Sequence, residues 1–296
     1  MKYHLKLTFL LLAMFLVTQF IGIYVVNHYL DEKNELPYGM KSPEVEQESD
    51  FYTSFLPSII IAFVIAISLL FFLTKFKSEI ILKVWFFLVV AIALGITITS
   101  FIPASKYLSL YVLAITLPLA FIKIYKRNFI IHNVTELFIY PGIAAVFVPL
   151  LNLMTIIILL ILISIYDAWA VWHSGIMQKM AKYQMNKLKI FSGFFVPYAS
   201  NKIKLKIKSM TKSQLKKSKI KVNLAILGGG DIIFPIIAAG VMLKTMGFWP
   251  AVLVIIGAAS GLGYLFLAAE KKKFYPAMPF ITAGILLAII VSLIVF

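Results

Sequence analysis

Nine apolar stretches, each long enough to cross a lipid bilayer, constrain this chain more than any other feature. A helix needs about 20 apolar residues to cross a hydrocarbon core of roughly 30 Å. Such stretches lie at 7–29, 54–74, 83–102, 107–123, 133–152, 154–177, 222–243, 248–269 and 275–296. They take up most of the 296 residues and leave little for a separate soluble domain. Of the residues, 61% are hydrophobic, against about half in soluble globular proteins. The expected fold is an all-α polytopic protein of the cell membrane with nine transmembrane helices. Its parts are helices one to six in 1–177, a basic linker at 178–221, and helices seven to nine in 222–296. The run after Lys6 carries no small-residue cleavage pattern, so it reads as a first span that is retained, not a signal peptide.

Basic residues flanking the spans set the orientation. Alternate loops carry Lys2 and Lys6, then Lys75, Lys77 and Lys83, then Lys123, Lys126 and Arg127, then a Lys-rich segment, then Lys271 to Lys273. The intervening loops hold only Lys33 and Lys41 in an acidic stretch, Lys106, and Lys244. This places the N-terminus in the cytoplasm and the C-terminus outside. Residues 30–53 contain seven acidic residues and read as an exposed external loop, whereas 178–221 contain thirteen Lys and no acidic residue. The net charge of +16 is thus spread between apolar runs, which suits anionic lipid head groups and not nucleic acid. Within the linker, Lys202 to Lys208 alternates lysine with Ile203, Leu205 and Ile207, the period of a strand with one apolar face. The chain has no Cys, which excludes disulfides and thiol chemistry.

Of the twelve acidic residues, only Asp167 and Asp231 fall deep within expected spans. Glu79 and Glu270 lie at loop edges, and Glu136 lies near the cytoplasmic start of 133–152. A carboxylate at membrane depth costs several kcal/mol and marks function. Asp167 is about ten residues before the cytoplasmic end of its segment, and Asp231 about nine after the start of the next. At 1.5 Å per residue, both come roughly 14–15 Å from the cytoplasmic boundary, so antiparallel neighbours could bring them face to face. Two such carboxyls share one proton. The ionised member can then take a proton from water while the protonated one donates to a scissile carbonyl, and neither metal nor cofactor is required. On the carboxylates alone, a protease and a proton- or cation-coupled transporter are equally served.

The surroundings favour the protease. Asp231 ends Gly228-Gly229-Gly230-Asp231, a run that lowers helix propensity and leaves room for another backbone beside the carboxyl. Together with Tyr166-Asp167 and Pro276-Ala277-Met278, it resembles the GxGD, YD and PAL motifs of the presenilin and signal peptide peptidase family of intramembrane aspartyl proteases, with Met278 where that family has Leu. Motif order and span count match as well, so the resemblance covers essentially the whole chain. It implies that Asp167 and Asp231 are the catalytic pair, and that Tyr166, Gly228, Gly229, Gly230, Pro276, Ala277 and Met278 belong to the active-site motifs or bind substrate. It implies transmembrane-helix substrates and no metal or cofactor. The compact chain resembles prokaryotic (archaeal) homologues that need no accessory subunits, in presenilin's orientation; oligomerisation is left open. In relatives, an unwound substrate is held by β-pairing near the cytoplasmic ends of the sixth and seventh helices. Residues 202–208, or Lys219 to Leu224, could supply that edge.

Other signals carry less. Ala259-Ser260-Gly261 resembles a rhomboid serine motif, but the candidate partners His132 and His173 lie near helix ends. Gly257 and Gly261 read as a helix-packing pair. Trp169 and Trp172 read as interfacial or core aromatics. A prepilin-type peptidase usually has a basic residue soon after its GxGD aspartate, and here Ile232-Ile233-Phe234-Pro235 follows. A transporter should show repeated halves, and no internal repeat is present.

Overall fold

The computed structural model describes residues 5–31, 34–40, 61, 65, 79–126, 128–174, 191–198, 223–269 and 275–296. The expected span at 54–74 and the alternating 202–208 stretch lie outside the described residues. The helices are α1 (Leu5–Leu30), α2 (Glu79–Thr99), α3 (Leu108–Tyr125), α4 (Phe129–Phe147), α5 (Leu153–Trp169), α6 (Gly230–Met246), α7 (Phe248–Ala268) and α8 (Met278–Val295). Between α5 and α6 lie two strands, β1 (Gly193–Tyr198) and β2 (Asn223–Gly228). Among the described residues, seven helices are long and apolar enough to span a bilayer. Their outward faces stay apolar, with Phe9, Ile80 and Ile294 more than 70% exposed, as lipid-facing side chains require. The chain is a multi-pass membrane protein.

The sixth helix, α6, is the axis of the fold. It packs against α1, α4, α5, α7 and α8, and Pro235 to Met242 are buried without interruption. A helix apolar on every face is a buried helix, and here small residues let its neighbours close in. Gly22 of α1 lies against Ile236, and Gly240 lies against Val148 and Val26. On the far side, Gly257 and Gly261 of α7 receive the backbone of Gly284 and Phe280 in α8, so these helices touch main chain to main chain.

Local signals explain the helix ends. Asn128 accepts from the N–H groups of Ile130 and Ile131 to cap α4. Asn152 and Thr155 form a reciprocal capping box that starts α5. Pro141 sits within α4, while Pro149 lies in the 3-10 turn Val148–Leu150 that ends it. After Trp169 the chain continues in wider turns of π type over Ala170–Ser174.

Two expectations are corrected. The fold is not all-α, because β1 and β2 form an antiparallel two-stranded sheet in the register Gly193↔Gly228 to Tyr198↔Asn223. The segment expected as helix from 222 is strand as far as Gly228 and helical only from Gly230. Hydropathy alone does not separate a short buried strand from the first turns of a helix. The glycine run breaks the segment, and Phe194 and Val196 of β1 supply a β-favouring partner. Asp231 is therefore the second residue of α6, and Asp167 the third from the end of α5. The helical rise used to place Asp231 therefore does not apply to residues 223–228.

Candidate active site

Asp167 is 4% exposed, and its Oδ2 accepts the Met278 N–H at 3.0 Å. The Ala277 N–H also bonds this carboxyl. The donors are available because Pro276-Ala277-Met278 opens α8, and the first N–H groups of a helix have no intrahelical partner. One turn earlier on α5, Ser164 Oγ donates to Thr282 Oγ1 at 2.7 Å, fixing α5 against α8. Asp231 is partly buried, bonds the Gly228 N–H, and feels the charge of the Asp167 carboxyl. From α1, Gln19 donates to the Ile232 carbonyl at 3.0 Å and anchors the first turn of α6 next to Asp231.

A cleft opens on Asp231. Its walls include Ile226 and Leu227 of β2, Leu262 and Phe266 of α7, and Tyr275 and Ala277 ahead of α8. Asp167 is not on its wall. Of the expected site residues, Asp231 and Ala277 line the cleft, and Asp167 is tied to it through the main chain of Ala277 and Met278. Tyr166 is 44% exposed, stacks near Trp169 and does not line the cleft.

The three glycines differ in what keeps them small. A Cβ on Gly228 would press on Asp231 Oδ2 at 3.2 Å. One on Gly229 would meet the Tyr140 hydroxyl at 2.7 Å and Ser192 Oγ at 2.8 Å. One on Gly230, which is exposed, would meet nothing closer than Phe234 at 3.9 Å. Crowding within the chain accounts for the first two, and the third borders open space.

A second set of polar residues holds the sheet from α4. Asn133 donates to the Phe195 carbonyl at 2.9 Å and accepts the Phe195 N–H at 3.1 Å, so its amide pairs as a neighbouring strand would. His132 Nε2 lies 2.9 Å from the Gly193 carbonyl, and the Gly193 N–H donates to Glu136 Oε2 at 3.3 Å. Glu136 is 1% exposed and paired with Lys123 of α3. A buried carboxylate requires such a partner. The available signal was His132, Asn133, Glu136 and Tyr140 falling at helical spacing on one face of α4.

These contacts also fix the polarity of the sheet. In an antiparallel pair, alternate residues turn their N–H and C=O away from the partner strand. Gly193 and Phe195 turn theirs to α4, so their register partners Gly228 and Ile226 turn theirs to the opposite edge, the side of β2 away from β1. Among the described residues no strand occupies that edge.

The fold is found in solved intramembrane proteases. The chain is similar to the structure of a presenilin family intramembrane aspartate protease in a C222 crystal form, with a TM-score of 0.62 and 16% identity over 98% of this chain and 99% of that one. A P2 form of a presenilin family protease gives a TM-score of 0.62 and 15% identity over 97% of each chain. No curated protein sequence matches. The sequence profile of the signal-peptide peptidase and presenilin aspartyl protease family matches residues 12–296. The chain belongs to that family and is an intramembrane aspartyl protease. Neither likeness supports the transporter reading.

Proposed function

We propose that Asp167 and Asp231 are the catalytic pair and that they hydrolyse peptide bonds within transmembrane segments through an activated water. The reading is supported by the cleft that opens on Asp231 between β2 and the start of α8, and by an Asp167 near enough for its charge to act on Asp231. The pair holds one proton. The ionised carboxylate takes a proton from water as the oxygen attacks the scissile carbonyl carbon, and the protonated partner donates to the carbonyl oxygen. The tetrahedral adduct collapses as its C–N bond breaks, and a carboxyl proton passes to the leaving nitrogen.

The substrate is a membrane helix that must unwind first, since its carbonyls are engaged and its backbone shielded. An extended segment can add to the outward edge of β2, bonding the Ile226 N–H and C=O five residues from Asp231. This puts the edge at Asn223–Gly228, overlapping the Lys219 to Leu224 candidate. Gly230, with open space beside it, lets the substrate backbone close on Asp231. Pro276 and Ala277 border the site, and Met278 holds Asp167 through its main chain.

The same reading has nine spans in the cell membrane, with the N-terminus cytoplasmic and the C-terminus external. Units 1–177 and 222–296 each supply one aspartate, and the basic 178–221 segment, which carries β1, joins them with its lysines toward anionic lipid. It acts without accessory subunits. Detergent-solubilised enzyme is tested on a fluorescent single-span peptide, with and without a transition-state-like aspartyl protease inhibitor. Asp167→Asn and Asp231→Asn should each abolish turnover, and the inhibitor should abolish that of the parent. Retained turnover in either variant refutes the pair.

A further inference from the structure

Gly229 occupies the position that the GxGD motif leaves variable. Its backbone gives no reason for glycine, since φ is −65° and ψ is −33°, which any residue adopts. What excludes a side chain there is Tyr140. The phenol is 3% exposed, its hydroxyl would sit 2.7 Å from a Cβ on Gly229, and its Cε1 would sit 3.1 Å away. The other neighbour, Ser192 Oγ, belongs to an exposed residue and can swing aside.

Tyr140 cannot swing. Its ring packs edge-on against Phe194 of β1 at 6.3 Å, and its hydroxyl lies 3.4 Å from Ser192 Oγ. The hydroxyl is also within hydrogen-bonding reach of Glu136, one turn back on α4. Glu136 in turn is fixed by Lys123 and by the Gly193 N–H. A continuous set of contacts therefore runs from α3 and α4 to the turn that carries Asp231.

We infer that Tyr140 is a positioning residue for the protease reaction: its phenol fills the volume vacated at Gly229 and thereby fixes the turn that aims Asp231. This rests on Asp231 being catalytic. A methyl at Gly229 must move something by about 0.7 Å to reach ordinary contact, and the rigid side is Tyr140, so the turn moves. A displacement near 1 Å at a reacting group costs on the order of 10²-fold in rate.

The test is a double-mutant cycle read by turnover of a fluorescent single-span peptide in detergent. Gly229→Ala should lower kcat by roughly 10- to 100-fold with little change in KM. Tyr140→Phe removes the nearest atom while keeping the ring, and should lower kcat only a few-fold. In the double variant the methyl takes the place of the hydroxyl, so kcat should recover at least fivefold over Gly229→Ala alone. Fold effects that multiply, with no recovery, overturn the inference, as does Gly229→Ala with parental kcat. Should Gly229→Ala fail to accumulate as folded protein, the readout becomes accumulation and melting of the double variant, and absence of rescue overturns it equally. Asp231→Asn runs in parallel. If it still turns over peptide, the catalytic pair is refuted; if it is inactive while the cycle is multiplicative, only the role of Tyr140 is.

Discussion

Replacing Asn133 by Ala isolates the contact that holds the sheet in place. The side chain makes two hydrogen bonds to one residue of β1, at 2.9 Å and 3.1 Å, from a position 8% exposed. Net worth is about 1 kcal/mol per bond, so the pair contributes about 2 kcal/mol. Phe195 would also lose both partners, which adds to the loss where water is scarce. If β1 can leave α4 without the whole fold melting, 2 kcal/mol shifts that equilibrium toward the undocked form by roughly 30-fold. Because β1 registers β2, and β2 runs directly into Gly229 and Asp231, turnover should fall by at least tenfold. Circular dichroism should show the helical content retained and the melting temperature lowered by a few degrees. Asn133→Asp should not restore turnover, since it keeps the bond from the Phe195 N–H but sets a carboxylate against the Phe195 carbonyl. Peptide turnover within twofold of the parent in Asn133→Ala, with unchanged melting, would show that the amide is not what docks the strand.

Ile226→Pro removes an N–H on the outward edge of β2, whereas Leu227→Pro strikes the β1 ladder. The first should cut turnover at least tenfold with near-parental melting, the second should also lower melting, and equal effects on melting would contradict the assigned alternation. Glu136→Gln leaves Lys123 buried without its partner and should cost about 3–5 kcal/mol, which Lys123→Met in the same chain should largely restore; thermal melting decides. Gly284→Ala places a methyl on the Gly257 backbone, and should destabilise by at least 1–3 kcal/mol by forcing α7 and α8 apart. A parental melting temperature would show that these helices have room to spare.

The apolar runs fixed most helices to within a few residues, because length and hydropathy carry that information. Thus 248–269 corresponds to α7 and 107–123 to α3. The same signal failed at 222–229, where an apolar stretch of helical length contains a strand. What decides that stretch is a partner some thirty residues away in the chain, Gly193–Tyr198, which sits inside a segment whose lysines dominate its reading. The two aspartates were legible because a charge in lipid demands explanation. Glu136 is more buried than either, yet its place near a helix start does not mark it as deep, and only the tertiary position of Lys123 shows how its charge is held. Why Gly229 is glycine was not legible either, since the atoms that forbid a side chain come from α4.

The amide of Asn133 also limits what can be bound. A two-stranded sheet ordinarily offers two edges for another chain to join, and each is an opening for unwanted association. Here a side chain occupies one edge, so growth is one-sided. A further strand can add only beside β2, and two copies cannot pair through β1 while Asn133 holds Phe195.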